Sequence, residues 1–66
     1  MVNELMISIK DSDSYLYFKT SKTTVKEAVK EFDLLMYRLG VNTDNLQIDV
    51  AVLRNKDDET IDKFTF

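Results

Sequence analysis

The carboxylates in two short polar clusters, residues 11–13 (DSD) and 57–59 (DDE), are the side chains with the clearest capacity for chemistry. Carboxylate oxygens are the ligands that Ca²⁺ prefers in proteins. Neither cluster continues into the twelve-residue calcium loop, which needs a Gly at its bend and a Glu at its end. Short polar side chains of this kind also form turns with their own backbone. We therefore expect two turns and no metal site.

Catalysis has few candidate groups in this chain. The sequence contains no His and no Cys, so the side chain that titrates near neutral pH and the best nucleophile are both absent. Carboxylates can act as acid and base only inside a cleft, and one helix on one sheet leaves little concavity. We expect a protein that is not an enzyme, with no catalytic residue and no cofactor.

Basic residues recur at three- and four-residue intervals before and along the predicted helix. They are Lys19, Lys22, Lys26 and Lys30. Such a flank suits phosphates, so a nucleic-acid-associated protein is the alternative function. Three features weaken it: the net charge is -3, Arg38 and Arg54 are the only arginines, and helix surfaces are commonly rich in Lys.

One amphipathic helix is predicted over residues 24–40. Thr24 followed by Glu27 matches a capping box, and Gly40 suits the left-handed residue after a helix. Apolar residues recur at helical spacing on one stripe, which we expect to be buried. These are Val25, Ala28, Val29, Phe32, Leu35, Met36 and Leu39.

Two hairpins are predicted, one on each side of the helix. The first joins alternating residues 5–10 to residues 15–20, with Ile9 opposite Leu16 and Ile7 opposite Phe18. The second joins residues 46–52 to residues 60–66 through a polar loop at 55–59. Its expected register pairs Val50 with Phe64 and Ile48 with Phe66, and sets Leu53 opposite Ile61 on the other face.

These elements predict an α+β fold, a two-layer ββαββ sandwich with one helix on one face of a four-stranded sheet, in a single domain of residues 1–66. The favoured strand order places the first and last strands side by side in the centre. Phe64 and Phe66 suit a core, and a chain end is protected when it is paired on both sides. In element order this resembles the β-grasp arrangement of small immunoglobulin-binding bacterial domains, but no shared motif carries a function across. The second order is fully antiparallel, with the first and third strands central.

Two apolar surfaces are expected to remain free. Leu34 and Tyr37 lie roughly 160° and 140° from the centre of the buried helix stripe. The outer sheet face is the other surface, and in the expected registers it carries Met6, Tyr15, Tyr17, Ala51, Leu53 and Ile61. Tyr is enriched in protein interfaces. The predicted partner-binding residues are Tyr15, Tyr17, Leu34, Tyr37, Leu53 and Ile61.

The sequence therefore favours a small binding protein that acts through protein–protein interaction, as an accessory, adaptor or inhibitor of the size often encoded by phages or mobile elements. Self-association is a further expectation, because a dimer would bury apolar area that a small core lacks. The lack of cysteine and of an apolar run near ~20 residues predicts a cytoplasmic protein without a membrane segment.

Overall fold

The computed structural model describes residues 2–66 and has the predicted α+β composition. Four strands form one sheet, and one helix lies against one face of it. The elements are β1 (Asn3–Ile9), β2 (Tyr15–Thr20), α1 (Val25–Arg38), β3 (Ile48–Arg54) and β4 (Thr60–Thr65).

The strand order is β2-β1-β3-β4, and every neighbouring pair is antiparallel. The favoured β-grasp-like order is therefore wrong, and the second order is the one observed. Five of the first six residues of β3 are apolar, which suits a strand that pairs with a neighbouring strand along each edge. β4 carries Asp62 and Lys63 in its middle, and charged residues are typical of an edge strand. Phe64 and Phe66 lie at this edge and are exposed.

Both ends of α1 have the caps that the sequence predicts. The Thr24 hydroxyl accepts a hydrogen bond from the Glu27 amide at 3.3 Å and donates one to the Glu27 carboxylate at 3.1 Å. Gly40 has φ +79°, its amide bonds to the Tyr37 carbonyl, and the Val41 amide bonds to the Met36 carbonyl. This is a Schellman motif, which satisfies carbonyls left free at the helix end.

The core lies beneath the first half of α1. Phe32 is buried there and packs edge-to-face on Phe18, with ring centroids 5.7 Å apart. The last turn of the helix extends beyond this core, so the prediction that Leu35 and Leu39 are buried is wrong: their side chains are 38% and 66% exposed. The buried apolar residues that form the core are Leu5, Ile7, Val25, Ala28, Phe32, Ala51 and Leu53.

The first hairpin is shifted by two residues from the expected register. Ile7 pairs with Leu16 and Leu5 pairs with Phe18, because residues 10–14 form a longer connection than expected. Asp11 takes the positive φ of 62° that this turn needs. A shift of two residues leaves every side chain on its predicted face.

The second hairpin is shifted by one residue from the expected register. This shift exchanges the two faces of β3, so the side chains expected in the core point outward and the others point inward. Arg54 pairs with Thr60, but Leu53 then pairs with Asp62, so Ile61 forms a bulge. Beyond the bulge Ala51 pairs with Phe64. A one-residue shift moves each side chain to the other face. Ala51 and Leu53, expected on the outer face, are therefore 0% exposed beneath the helix, and Val50 and Val52, expected in the core, lie on the outer face.

A second irregularity, at the start of β3, restores the inward direction of Ile48. Ser8 pairs with Val50, whereas Ile9 pairs with Ile48, which leaves Asp49 as the extra residue. The Ser8 hydroxyl donates to the Val50 carbonyl at 3.1 Å and accepts from the Val50 amide at 3.2 Å. These two hydrogen bonds fix β3 next to the irregularity at which the alternation of inward and outward side chains changes.

Candidate protein-binding site

The sheet face that the helix does not cover presents side chains in three cross-strand rows, and we call this surface the open face. The rows follow from the register of the four strands. They are Lys19–Glu4–Arg54–Thr60, Tyr17–Met6–Val52–Lys63 and Tyr15–Ser8–Val50–Thr65.

The middle row is apolar across three neighbouring strands. Tyr17 is 59% exposed on β2, and Met6 and Val52 are half-buried beside it on β1 and β3. Tyr15, which is 52% exposed, stands next to Tyr17 on the same face. Adjacent strands lie about 4.8 Å apart, so Tyr17, Met6 and Val52 form one continuous apolar band. The prediction that Tyr15 and Tyr17 are exposed on the outer face is confirmed.

One end of the open face is polar. Lys19 forms an ion pair with Glu4, with Nζ and Oε2 3.2 Å apart. An Nη of Arg54 lies 2.9 Å from the Met6 sulfur, a weak acceptor, and the buried Nε has no hydrogen-bond partner within residues 2–66. The Arg54 guanidinium is therefore incompletely satisfied by the protein itself.

The open face has a local positive charge in a chain that is negative overall. Lys19, Arg54 and Lys63 lie in the three rows, together with a single carboxylate, Glu4. The chain as a whole has a net charge of -3. A partner surface with carboxylates or free carbonyls would thus complement this face.

The other predicted partner-binding residues separate into three places. Leu53 is in the core, so its predicted place in a binding surface is wrong. Ile61 is exposed at the bulge in the edge strand β4. Leu34 and Tyr37 are exposed on the helix, on the side of the molecule away from the open face. Val50, Val52 and Arg54 were missed; the apolar run of β3 was their only signal in the sequence.

The four lysines of the alternative function do not form one flank. Lys19 lies on the open face and pairs with Glu4, whereas Lys26 and Lys30 project from the helix. Lys22 lies before the helix and lines the same shallow depression as Lys30, where Glu27 and Glu31 accompany the two lysines. A continuous track of cations along these positions is absent.

A groove lies at the C-terminal end of α1, and we call it the helix-end groove. It has a volume of about 610 Å³ and runs between the last turns of the helix and the connection to β3. Its lining residues are Asp33, Leu34, Tyr37, Gly40, Val41, Asn42, Thr43 and Asp44.

Within residues 2–66, no three His, Cys, Asp or Glu side chains are grouped so that they could hold a metal ion. No helix in the same part of the chain has the length and apolar character needed to cross a membrane. Comparisons with protein-family models, with curated proteins and with solved structures each found no match.

Proposed function

We propose that this chain is a non-enzymatic binding protein that contacts a partner protein through the open face. One observation carries the proposal: the helix covers only one side of the sheet, and the middle row of the other side, Tyr17–Met6–Val52, is apolar. Covering apolar surface is favourable by about 25 cal/mol per Å². Tyr is also among the residues that contribute most at protein interfaces.

The size of the open face indicates what the partner must contact. Four strands spaced about 4.8 Å apart and about six residues long span roughly 19 by 20 Å, or ~400 Å². A stable interface usually buries ~800 Å² on each side. We therefore expect the partner to extend beyond the rows onto β2, an edge strand whose outer side pairs with no other strand within residues 2–66.

The charges of the open face define the polar part of the partner. Arg54 forms no ion pair within residues 2–66, and Lys63 ends the apolar row. We expect the partner to place an acidic side chain near Arg54 and an apolar or aromatic side chain on Met6. An accessory, adaptor or inhibitory role in the cytoplasm, and self-association through the same face, belong to this proposal.

Nucleic-acid binding is the second candidate. Tyr15 and Tyr17 share a face with Lys19, Arg54 and Lys63, and aromatic rings among cations can stack on unpaired bases. The centre of the face argues against it, because Met6, Val50 and Val52 are aliphatic and offer no ring for stacking.

Affinity capture with two matched variants tests the proposal. Tyr17→Lys changes the open face, and Leu39→Lys changes an exposed apolar residue that lines neither the open face nor the helix-end groove. At physiological salt, after nuclease treatment, we expect a partner that the wild type and Leu39→Lys retain and Tyr17→Lys loses.

Two results would contradict the proposal. Equal retention by Tyr17→Lys would show that the open face is not the interface. Capture that disappears after nuclease treatment, and that weakens steeply with salt, would identify nucleic acid as the ligand.

A further inference from the structure

The helix-end groove is a second candidate surface, separate from the open face. It lies on the helix side of the sheet and is bordered by residues 33–37 of α1 and residues 40–44 of the following connection. Its volume of about 610 Å³ is within the range of ligand pockets in proteins, about 300–1,000 Å³. It can hold one or two side chains of a partner.

The wall formed by the connection is held in place before any ligand arrives. The Thr43 hydroxyl donates to the Asp33 carboxylate at 3.1 Å, and the Leu46 amide donates to the Thr43 carbonyl at 2.9 Å. Leu46 packs against the core, and the Val41 amide is bonded to the last turn of the helix. A ligand would therefore bind without ordering this segment, which lowers the entropic cost of binding.

The floor of the helix-end groove is apolar. Leu34 and Val41 are about half exposed, and Tyr37 is 80% exposed, so one face of its ring is open to a ligand. Leu34 and Tyr37 lie outside the buried stripe of the helix, Val41 lies just after the helix, and no element within residues 2–66 covers them.

The rim is acidic. Asp33 and Asp44 line the groove, no Lys or Arg lines it, and neither carboxylate forms an ion pair within residues 2–66. The groove also lies at the C-terminal end of the helix, where the helix dipole adds partial negative charge. Cations line the two neighbouring depressions that share Leu34 with the groove, Lys22 and Lys30 in one and Lys19 and Arg38 in the other.

From this combination we propose that the helix-end groove binds an arginine side chain flanked by aliphatic residues, in an extended segment of a partner protein. A guanidinium stacks on an aromatic ring and pairs with carboxylates through a planar set of donors, whereas a lysine ammonium is a point charge. The stacking surface is Tyr37, the carboxylates are Asp33 and Asp44, and the aliphatic neighbours of the arginine contact Leu34 and Val41.

Chemical-shift mapping on the full chain tests this inference with a defined probe, the capped tripeptide acetyl-Leu-Arg-Leu-amide. We expect amide shifts at Leu34, Tyr37 and residues 41–44, and none at Tyr17 or Val52. The lysine tripeptide is expected to bind a few-fold more weakly, and acetyl-Leu-Glu-Leu-amide to produce no shifts in the groove.

Variants then measure how much the rim carboxylates and the Tyr37 ring each contribute to peptide binding. Removing both rim charges, Asp33→Asn with Asp44→Asn, should weaken arginine-peptide binding about three- to tenfold, as two exposed ion pairs allow. Tyr37→Ala should weaken it about two- to fivefold, and Tyr37→Phe should leave it unchanged because the ring remains. Asp57→Asn with Asp58→Asn removes the same charge from a distant turn and should have little effect.

Three results would overturn the inference. Equal binding of the glutamate peptide would exclude charge recognition, and an equal effect of the Asp57/Asp58 pair would show only general electrostatics. Identical shifts caused by raising the protein concentration without peptide would show that a second copy of the chain occupies the groove.

Discussion

Replacing Asp62 by alanine is expected to lower the free energy of unfolding by about 1.5–2 kcal/mol. The Asp62 carboxylate, on β4, accepts a hydrogen bond of 2.7 Å from the amide of Val25, the first residue of α1. The first amides of a helix have no partner within the helix, and Val25 is buried. Losing this bond leaves a buried donor unpaired and removes a negative charge from the positive end of the helix dipole.

The magnitude follows from the type of bond and from its burial. Hydrogen bonds to charged groups contribute about 1.5–3 kcal/mol, and Asp62 is only half-buried, which favours the lower part of that range. For 66 residues the entropy of unfolding is about 0.14 kcal/mol per kelvin, so each kcal/mol lowers Tm by about 7 °C. We expect Asp62→Ala to lower Tm by about 10–14 °C, and Asp62→Asn to lower it less because the amide oxygen still accepts.

Thermal and urea unfolding followed by circular dichroism would measure this effect, with Lys63→Ala as the matched control. Lys63 is the next residue along β4 and lies on the open face opposite Val52, so its replacement should change stability by less than about 0.5 kcal/mol. If Lys63→Ala were the costly change and Asp62→Ala the neutral one, β4 would be displaced by one residue and the reasoning about its register would be refuted.

Two further substitutions test the core and a turn. Phe32→Ala should lower the free energy of unfolding by about 3–5 kcal/mol, and the total for 66 residues is about 3–10 kcal/mol. Urea titration should therefore show a largely unfolded protein. Leu39→Ala, as the control, should change the midpoint little. Similar midpoints for these two variants would mean that the helix is rotated. Asp58 has a backbone φ of +61°, a region that favours Gly. Asp58→Gly should therefore raise the free energy of unfolding by about 0.5–1 kcal/mol in the same titration. An unchanged or lower midpoint would show that the backbone of Asp58 is not strained.

The helix and β2 were predictable from the sequence because their signals are local. Thr24, Glu27 and Gly40 act within one turn of the helix end that each one caps. In β2 the exposed positions of Tyr15 and Tyr17 follow from simple alternation, since no bulge interrupts the strand. The predicted exposure of this part of the open face was therefore correct.

Simple alternation could not predict which side chains of β3 point toward the core. Val50, Ala51, Val52 and Leu53 are all apolar, and the polar residues on either side of them, Asp49 and Arg54, indicate opposite faces by alternation. Which pair is buried depends on the irregularities at Asp49 and Ile61, and a bulge is set by the fit of strands distant in sequence. For this reason Leu53 was placed in the binding surface, and Val50, Val52 and Arg54 were missed.

The strand order depended on how two signals were weighed. Phe64 and Phe66 suggested a central last strand, but two aromatic rings can pack edge-to-face against each other at a sheet edge, as these do with centroids 4.8 Å apart. The unbroken apolar run of β3 was the better indication of a central strand.

The bulges have a consequence for how this protein could change during evolution. The four central residues of β3 are all apolar, so an insertion or deletion of one residue that moves a bulge would exchange Ala51 and Leu53 with Val50 and Val52 without burying a charge, provided that Arg54 keeps its place on the open face. Such a change would rewrite the centre of the open face while a hydrophobic core was kept. The interface that we propose on the open face could thus be altered through strand length alone, with almost no change in amino-acid composition.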